Sequence, residues 1–225
     1  MTTTVSFTVD SAHGPRPVSV NYERTGAGAP LVLLHGIGHH HQAWDPVTRI
    51  LAAEREVIAL DLPGFGTSPA LPDGVPYTLE AVTPVLGAFF AALGLDRPHV
   101  AGNSLGGLFA LELGRRELVR SVTALSPAGF WNEPERRYAF TTLRGATGFH
   151  QTLAAGGAVS FTDDVKGLPV TVAWGTRDRI LLRRQGIRAK QVIPGARLVR
   201  LPGCGHVPMN DDPALVARVI LDTSR

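Results

Sequence analysis

The sequence predicts one α/β domain built on a mixed, mostly parallel sheet with helices on both faces. Three observations support this: short, almost entirely apolar runs, longer segments with helical spacing between them, and glycine or polar residues where the runs end. Apolar runs of four or five residues suit strands that are covered on both faces. Strands that alternate with helices imply parallel pairing, because each helix returns the chain to the same end of the sheet.

Eight segments carry a strand pattern. Residues 5–9 and 18–22 alternate polar with apolar side chains before the first helix, which indicates an antiparallel hairpin at the edge of the sheet. The other predicted strands, most of them continuously apolar, are residues 31–34, 57–60, 99–102, 122–125, 170–174 and 197–201.

Glycine and proline mark the predicted helix boundaries. Gly94 follows an Ala-Ala-Leu run, where a left-handed C-cap is expected, and Asp212 precedes a proline in the pattern of an N-cap. Pro84 conflicts with a helix that begins at Thr78. We therefore expect that helix either to start at Thr83 or to kink at the proline.

Composition excludes several classes of protein. The 225 residues are 44% hydrophobic and 18% charged, which is the balance of a folded chain, and we expect a single domain over residues 1–225. No run approaches the ~18 apolar residues of a membrane helix, and residues 1–10 lack the basic start and apolar core of a signal peptide. We expect a soluble cytoplasmic protein that binds no membrane.

The cysteine content and the distribution of charge exclude further classes of protein. Cys204 has no partner for an internal disulfide and is interpreted as a small buried apolar residue, and no cysteine cluster has metal-ligand spacing. The net charge of +3 comes from 22 basic and 19 acidic residues scattered along the chain. The densest basic groups, at residues 136–137 and 183–188, are interpreted as solvated helix faces. A nucleic-acid surface is therefore not expected.

One long connection interrupts the alternation of strands and helices. Residues 127–168 lie between two predicted strands, are rich in glycine and carry several aromatic side chains. Connections of this length without a strong period usually form a lid or a binding loop. A poorly ordered surface excursion is the alternative.

Ser104 lies at the end of a predicted strand, where open α/β sheets bind their ligands. It is the centre of Gly102-Asn103-Ser104-Leu105-Gly106, between a strand and a helix. A strand that turns sharply into a helix brings two backbones together, and glycine two residues to either side avoids the clash. Such turns also bind phosphate, but the lysine spacing of a phosphate loop is absent.

Two more polar residues follow strand ends. Asp178 comes after the strand at residues 170–174, and His206 comes after the segment at 197–201. A serine hydroxyl needs a base to remove its proton, and the base needs a third group to fix its tautomer. Taken singly, Asp178 is more typical of a helix N-cap than of a catalytic acid, and His206 is consistent with a hydrogen-bonded loop histidine. The placement of Ser104, Asp178 and His206 after three separate strands favours a catalytic relay.

The loop after the strand at residues 31–34 offers a site for an oxyanion. Acyl transfer requires two backbone N–H groups directed at the negative charge that develops on a carbonyl oxygen. We expect these from Ile37 and Leu105, with Gly36 letting the loop bend close to the serine. His35 is interpreted as a structural ring that pins this loop.

These motifs resemble those of the α/β-hydrolase fold superfamily, in its branch of small esterases and meta-cleavage C–C hydrolases. The resemblance implies an eight-stranded, mostly parallel sheet with helices on both faces, and no cofactor. It implies Ser104 as nucleophile, His206 as base and Asp178 as the orienting acid. It implies backbone oxyanion donors at Ile37 and Leu105. The matching motifs cover nearly the whole chain and lie at residues 35–36, 61–66, 102–107, 174–178 and 205–208.

Two features depart from that family. Only about 40 residues, at 127–168, remain for a cap that usually has several helices, so we expect a reduced cap and a more open site, or a lid completed by a second subunit. The protein would then be a monomer or a homodimer. His39, His40 and His41 stand where small residues are more usual. Adjacent side chains point in different directions, so no metal site is expected, and an exposed loop is favoured, with one ring a candidate for the pocket mouth.

Four residues are candidates for substrate contacts. Gly36 borders the oxyanion loop, Val207 lies in the last motif, and Phe130 and Trp131 follow the strand at residues 122–125. For the two aromatic residues the alternative is core packing beneath the lid.

The sequence therefore predicts a serine hydrolase that acts on a small carboxylic ester through an acyl-enzyme. Hydrolysis of a C–C bond in a ring-fission diketone is the nearest alternative, since the Gly102-Asn103-Ser104 tripeptide resembles that branch. Perhydrolysis would use the same residues. A non-catalytic ligand-binding protein on the same scaffold is the alternative from a different class.

Overall fold

Eight strands of the described residues pair into one sheet. The computed structural model describes residues 1–146 and 160–225. In chain order the strands are β1 (Thr3–Val9), β2 (Arg16–Thr25), β3 (Pro30–Leu34), β4 (Glu56–Leu60), β5 (His99–Asn103), β6 (Ser121–Leu125), β7 (Val170–Gly175) and β8 (Arg197–Leu201). Across the sheet their order is β1-β2-β4-β3-β5-β6-β7-β8.

The pairing directions confirm the predicted mixed, mostly parallel sheet. β1 and β2 form the expected antiparallel edge hairpin, with Val5 opposite Val20, and β2 pairs antiparallel with β4. All pairs from β4 across to β8 are parallel. The carboxyl ends of β3, β5, β6 and β7 therefore lie at one edge, which is where an α/β sheet binds its ligand.

The central strands supply two hydrophobic cores, one on each face of the sheet. In β3, Leu31 and Leu33 belong to one core, whereas Val32 and Leu34 belong to the other. Successive side chains of a strand point to opposite faces, so a strand covered on both sides is mostly apolar along its length. This is why the predicted strands were recognisable as continuous apolar runs.

Helices cover both faces, as predicted. They are α1 (Asp45–Leu51), α2 (Leu79–Ala92), α3 (Leu105–Arg115), α4 (Glu133–Leu143), α5 (Arg184–Val192), α6 (Pro208–Asp211) and α7 (Pro213–Thr223), with a 3₁₀ helix at His41–Trp44. α1 and α7 pack on one face through Val47 and Ile220. α2, α3 and α5 pack on the other through Val85, Leu111 and Ala189. Within the described ranges, no helix has both the length and the apolar character needed to cross a bilayer.

Helix α2 contains Pro84 in its interior. It begins directly after Thr78, whose hydroxyl accepts the Ala81 N–H at 3.3 Å. A start at Thr83, one of the two predicted alternatives, is therefore wrong. The proline removes the hydrogen bond that the Glu80 carbonyl would otherwise accept, and the helix continues past it.

The other predicted helix boundaries are confirmed. Gly94 follows α2 with a φ of 68°, a backbone conformation that favours glycine. Asp212 is the N-cap of α7, and its Oδ1 accepts the Leu215 N–H at 2.9 Å.

The insertion predicted at residues 127–168 contains helix α4. The helix starts with a capping box, in which Asn132 accepts the Glu135 N–H at 3.1 Å and Glu135 accepts the Asn132 N–H at 3.0 Å. The spacing of these two residues is a signal for a helix start that the sequence analysis missed. At the base of the insertion, the Phe161 N–H donates to the Gly129 carbonyl at 2.9 Å. Residues 147–159 lie outside the described part, so the reduced cap and the open site stay predictions.

Candidate active site

Ser104 occupies a strained turn between β5 and α3. Its backbone has φ 55° and ψ −114°, a region that residues other than glycine rarely adopt. A Cβ on Gly102 would clash with the Gly106 carbonyl, and a Cβ on Gly106 would clash with the Leu34 carbonyl. The turn thus requires both glycines, as predicted. The Ser104 N–H holds the turn in place by donating to the Leu125 carbonyl at 3.0 Å.

Asp178 and His206 are hydrogen-bonded to each other beyond the ends of β7 and β8. Asp178 Oδ2 lies 2.9 Å from His206 Nδ1. Because a carboxylate can only accept, Nδ1 carries the proton, and in the neutral ring Nε2 presents a lone pair. The Asp178 side chain is fully buried, whereas the His206 side chain is 10% exposed. The imidazole is therefore the part of this pair that a substrate can reach.

Both carboxylate oxygens of Asp178 accept hydrogen bonds. While Oδ2 binds His206, Oδ1 caps a turn by accepting the N–H groups of Ile180 and Leu181, each at 2.9 Å. The Leu181 carbonyl in turn accepts the Trp174 indole N–H at 2.8 Å. The carboxylate is thus presented to the imidazole from a loop held at several points.

Asn103 connects the loop of His206 to the turn of Ser104. Its Nδ2 donates to the His206 carbonyl at 2.9 Å and to the Leu125 carbonyl at 3.1 Å. The structure brings Ser104 and the pair of Asp178 and His206 to one edge of the sheet, but in the described part the Ser104 hydroxyl donates no hydrogen bond to His206. The sequence analysis missed the Asn103 contact, because its two residues are 103 positions apart.

Residues 36–39 form a tight turn at the end of β3. The His39 N–H donates to the Gly36 carbonyl at 3.2 Å, and Gly38 has a φ of 78°. A positive φ at the third residue alone is the pattern of a type II turn. Ile37, its second residue, donates no backbone hydrogen bond to any described residue. Leu105 is the first residue of α3, so its N–H has no acceptor within the helix.

His35 fixes this turn through hydrogen bonds of its ring, as predicted. Its Nε2 accepts the Leu62 N–H at 3.0 Å, so this nitrogen carries a lone pair, and its Nδ1 donates to the Gly36 carbonyl at 2.8 Å. Burial lowers the pKa of His35 to about 4, which keeps the ring neutral and the two hydrogen bonds intact near pH 7.

The prediction that residues 39–41 form an exposed loop is wrong for His41. Its ring is buried, and its N–H and Nδ1 lie 2.7 Å and 2.8 Å from Asp61 Oδ1. Asp61 Oδ2 accepts the N–H and hydroxyl of Thr67. Burial opposes the ionisation of Asp61, but these hydrogen bonds outweigh it and lower its pKa. Asp61 therefore ties the loop after β3 to the loop after β4.

The other two histidines of the run are less buried. His40 is exposed and His39 is half-buried. Burial lowers the pKa of His39, and the charges of His40 and His206 lower it further, so the His39 ring lies within electrostatic range of His206. Its place at a pocket mouth stays a prediction. Among residues 1–146 and 160–225, no three His, Cys, Asp or Glu side chains are grouped to hold a metal ion.

Gly36 and Val207 lie beside the residues proposed for chemistry. A Cβ built on Gly36 would stand 3.1 Å from the Ser104 Cβ, so the turn at residues 36–39 begins in close contact with the serine. Val207 is half-buried at the edge of the core that contains Cys204. Cys204 is buried, as predicted, and burial raises the pKa of its thiol.

Phe130 and Trp131 pack in the core and against the cap. Phe130 is buried, with its ring 5.8 Å from that of Phe161, and its carbonyl accepts the Arg188 Nε at 2.7 Å. Trp131 lies edge-on to Phe140, with ring centroids 5.7 Å apart. These contacts match the packing alternative, and a role toward substrate stays a prediction.

The interpretation of Arg183, Arg184 and Arg188 as a solvated face is confirmed for Arg184, whose side chain is 62% exposed, and is wrong in part for Arg188, whose side chain is 32% exposed. Both bind Glu135 of α4, whose side chain is 2% exposed. On the same helix, the Tyr138 hydroxyl donates to the Arg179 carbonyl at 2.9 Å. The cap helix is thereby fixed both to α5 and to the loop after β7.

A serine on a strained strand-to-helix turn, at the carboxyl edge of such a sheet, defines an α/β-hydrolase. The chain belongs to this family. The family model for the alpha/beta hydrolase fold matches residues 29–164, and a second alpha/beta hydrolase family model matches residues 133–219. The resemblance inferred from the sequence is confirmed, and the protein is an enzyme of this fold.

Esterases and hydrolases are among the similar proteins. The chain is 39% identical over 140 residues to pimeloyl-(acyl-carrier protein) methyl ester esterase of Aeromonas salmonicida, covering 61% of this chain and 52% of that protein. It is 38% identical over 117 residues to 2-hydroxy-6-oxo-2,4-heptadienoate hydrolase of Pseudomonas putida, covering 50% and 42%. A thermophilic esterase from Thermogutta terrifontis shares the fold, with a TM-score of 0.79, 22% identity and 97% of both chains covered.

Proposed function

We propose that this protein is a serine hydrolase that cleaves small carboxylic esters through an acyl-enzyme on Ser104. The observation that carries the proposal is the proximity of the strained Ser104 turn to the hydrogen-bonded pair of Asp178 and His206, with Asn103 joining the two. The similarity to a methyl ester esterase supports an ester as the substrate class.

In the proposed reaction His206 is the base. Asp178 holds its Nδ1–H, so Nε2 takes the proton of the Ser104 hydroxyl as Oγ bonds to the ester carbonyl carbon. The electron pair of the C=O bond moves to oxygen, and the N–H groups of Ile37 and Leu105 stabilise the resulting oxyanion. The carbonyl re-forms as the bond to the alcohol oxygen breaks, and the alcohol leaves with the proton from Nε2.

Water completes the cycle. It attacks the acyl carbon while Nε2 takes one of its protons, and the same two N–H groups stabilise the second oxyanion. When the bond to Oγ breaks, the carboxylic acid leaves and Ser104 regains a proton from His206. The cycle consumes one water molecule and returns Ser104 and His206 to their starting protonation states.

A C–C bond hydrolase that acts on a ring-fission diketone is the second candidate. Its support is the 38% identity with 2-hydroxy-6-oxo-2,4-heptadienoate hydrolase. The two candidates differ in the bond that breaks beside the carbonyl carbon. Turnover of p-nitrophenyl esters of increasing acyl length, measured beside turnover of a ring-fission dienone, separates them by the ratio of kcat/KM.

Substitution Ser104→Ala tests the proposal. Hydrolysis of p-nitrophenyl butyrate should fall by about a thousandfold or more, and a fluorophosphonate probe should label the wild type but not the variant. Ser126→Ala is the matched control. Ser126 lies at the end of the next strand, is buried, also has a positive φ, and its hydroxyl has no hydrogen-bond partner among the described residues.

The outcomes discriminate between classes of protein. Retained turnover in Ser104→Ala would reject the mechanism. A wild type that neither turns over esters or the dienone nor reacts with the probe would instead be a ligand-binding protein on the hydrolase scaffold.

A further inference from the structure

The side chain of Asn103 joins three parts of the candidate site. It is 1% exposed and belongs to the last residue of β5. Its Nδ2 lies 3.1 Å from the Leu125 carbonyl at the end of β6 and 2.9 Å from the His206 carbonyl after β8. An amide atom between two carbonyl oxygens has to be the nitrogen, and both of its protons are used.

The bond to residue 206 fixes the backbone that carries the imidazole. Two other contacts hold this segment. The His206 side chain is hydrogen-bonded to Asp178, and the N–H of the preceding residue, Gly205, donates to Asp211 Oδ2 at 2.8 Å. The His206 carbonyl carbon is bonded directly to the Cα from which the ring projects. A shift of this carbonyl therefore changes the distance from Nε2 to the serine even when the bond to Asp178 persists.

The turn of Ser104 is bound to one of the same carbonyl groups as Asn103. The Leu125 carbonyl accepts both the Ser104 N–H and the Asn103 amide. Pairing of β5 with β6 already extends over five residue pairs and does not depend on this amide. The loop of His206 has no such strand pairing, so the contact at 2.9 Å matters most for that loop.

We infer that Asn103 is a positioning residue that sets the distance between the His206 imidazole and the Ser104 hydroxyl. The inference rests on the proposed function, because only a proton transfer between these two groups makes their distance matter for rate. A displacement of about 1 Å at such a pair lowers the rate by about a hundredfold.

Two substitutions and one control test this. Asn103→Ala removes both hydrogen bonds and should lower kcat for p-nitrophenyl butyrate by about 10- to 100-fold, with KM changed less than about threefold. Asn103→Ser keeps one donor and should have an intermediate kcat. Asn21→Ala is the control, because Asn21 Nδ2 makes the same kind of contact with the Thr67 carbonyl, at 2.5 Å, on an outer strand. Its kcat should stay within about twofold of the wild type.

A second measurement does not depend on turnover. In protein labelled with ¹⁵N-histidine, the His206 Nδ1 proton, assigned with His206→Asn, should exchange slowly with water in the wild type. Asn103→Ala should exchange it at least several times faster, and Asn21→Ala should leave it unchanged. Thermal unfolding of each variant gives its folded fraction at the assay temperature. The measured kcat is divided by this fraction. If Asn103→Ala does not fold, the same comparison is made with Asn103→Ser.

The results separate this inference from the proposed function. Normalised kcat and proton exchange that match the wild type in the Asn103 variants, alongside an inactive Ser104→Ala, would overturn the inference alone. Turnover that survives Ser104→Ala, with proton exchange that still depends on Asn103, would overturn the proposed function and leave the structural positioning of His206 in place.

Discussion

The Tyr138 hydroxyl donates to the Arg179 carbonyl at 2.9 Å, so the cap helix α4 touches the loop that carries the proposed acid. One turn earlier on the same helix, buried Glu135 binds Arg184 and Arg188 of α5. A buried carboxylate is tolerated as a charge only when its partners are present. Polar contacts therefore attach α4 to the core in addition to apolar packing.

Arg188→Met should destabilise the folded protein by about 2 kcal/mol. Burial alone would raise the pKa of Glu135, but hydrogen bonds from Arg184 and the Asn132 N–H and the charge of Arg188 lower it. Methionine keeps the aliphatic part of the side chain and removes the guanidinium, which binds both Glu135 and the Phe130 carbonyl. Urea unfolding at neutral pH measures the change in the free energy of unfolding.

The control for this prediction is an arginine that lies on α4 itself and binds a carboxylate of the same helix. Arg136 binds Glu133, whose side chain is 50% exposed. Arg136→Met should lower the free energy of unfolding much less than Arg188→Met, because water replaces the lost partner. A cost equal to that of Arg188→Met would show that burial of Glu135 has no part in the effect.

Ile37→Pro should remove one oxyanion donor without reshaping its loop. Ile37 is the second residue of the type II turn at residues 36–39, a position that proline favours, and proline has no N–H. The kcat for p-nitrophenyl butyrate should fall by about a hundredfold. Ile37→Ala shortens the side chain, keeps the N–H and should stay within about threefold of the wild type. Equal losses in both variants would assign the effect to the side chain and reject the backbone donor.

The sheet and the serine turn could be predicted because local chemistry leaves few options there. A strand covered on both faces is mostly apolar, as in β3, and the one polar side chain of β7, Thr171, is hydrogen-bonded to Thr223. At Ser104, glycine is required on both sides because any Cβ would meet backbone. Such constraints are visible in a few consecutive residues, and the prediction held wherever they applied.

The networks around the site could not be predicted, because their partners lie far apart in the chain. His41 became buried because Asp61, 20 positions away, accepts two of its hydrogen bonds. Arg188 became part of a buried ion pair because Glu135, 53 positions away, faces it. Neither residue differs, by sequence pattern, from one on a solvated surface. The start of helix α4, in contrast, could have been predicted from the sequence, because its capping box lies within residues 132–135.

Asp178→Asn should lower kcat/KM by about a thousandfold or more. Asn can still cap the turn at residues 178–181, but its amide no longer requires the proton of His206 to sit on Nδ1, so the tautomer with a lone pair on Nε2 is no longer enforced. The rate of fluorophosphonate labelling should fall in parallel. Asp212→Asn, at the N-cap of α7, is the control and should keep full activity. Labelling of Asp178→Asn at the wild-type rate would remove Asp178 from the proposed mechanism.

Stability should fall as the pH is lowered from about 6.5 to about 4. Burial lowers the pKa of His35 and of His99 to about 4, from 6.5 in the unfolded chain. In this window the unfolded chain binds protons that the folded chain does not, so the stabilisation is fully present above pH 6.5 and is lost toward pH 4. For His35 the loss amounts to about 3 kcal/mol. Urea unfolding at pH 7.5 and pH 4 measures it.

Substitution of His35 and His99 by glutamine separates the effect of each ring on stability from its effect on activity. His35→Gln and His99→Gln should each flatten the dependence of unfolding free energy on pH, because each removes one buried titrating ring. His99 is the first residue of β5, bound to the Ser121 hydroxyl at 2.7 Å, at the end of the strand opposite Ser104. His99→Gln should therefore keep its kcat, whereas His35→Gln should lose activity because the Gly36 carbonyl is released and the oxyanion turn loosens. If both variants retained kcat at pH 7.5, the turn would not need His35, and the ring would serve stability alone.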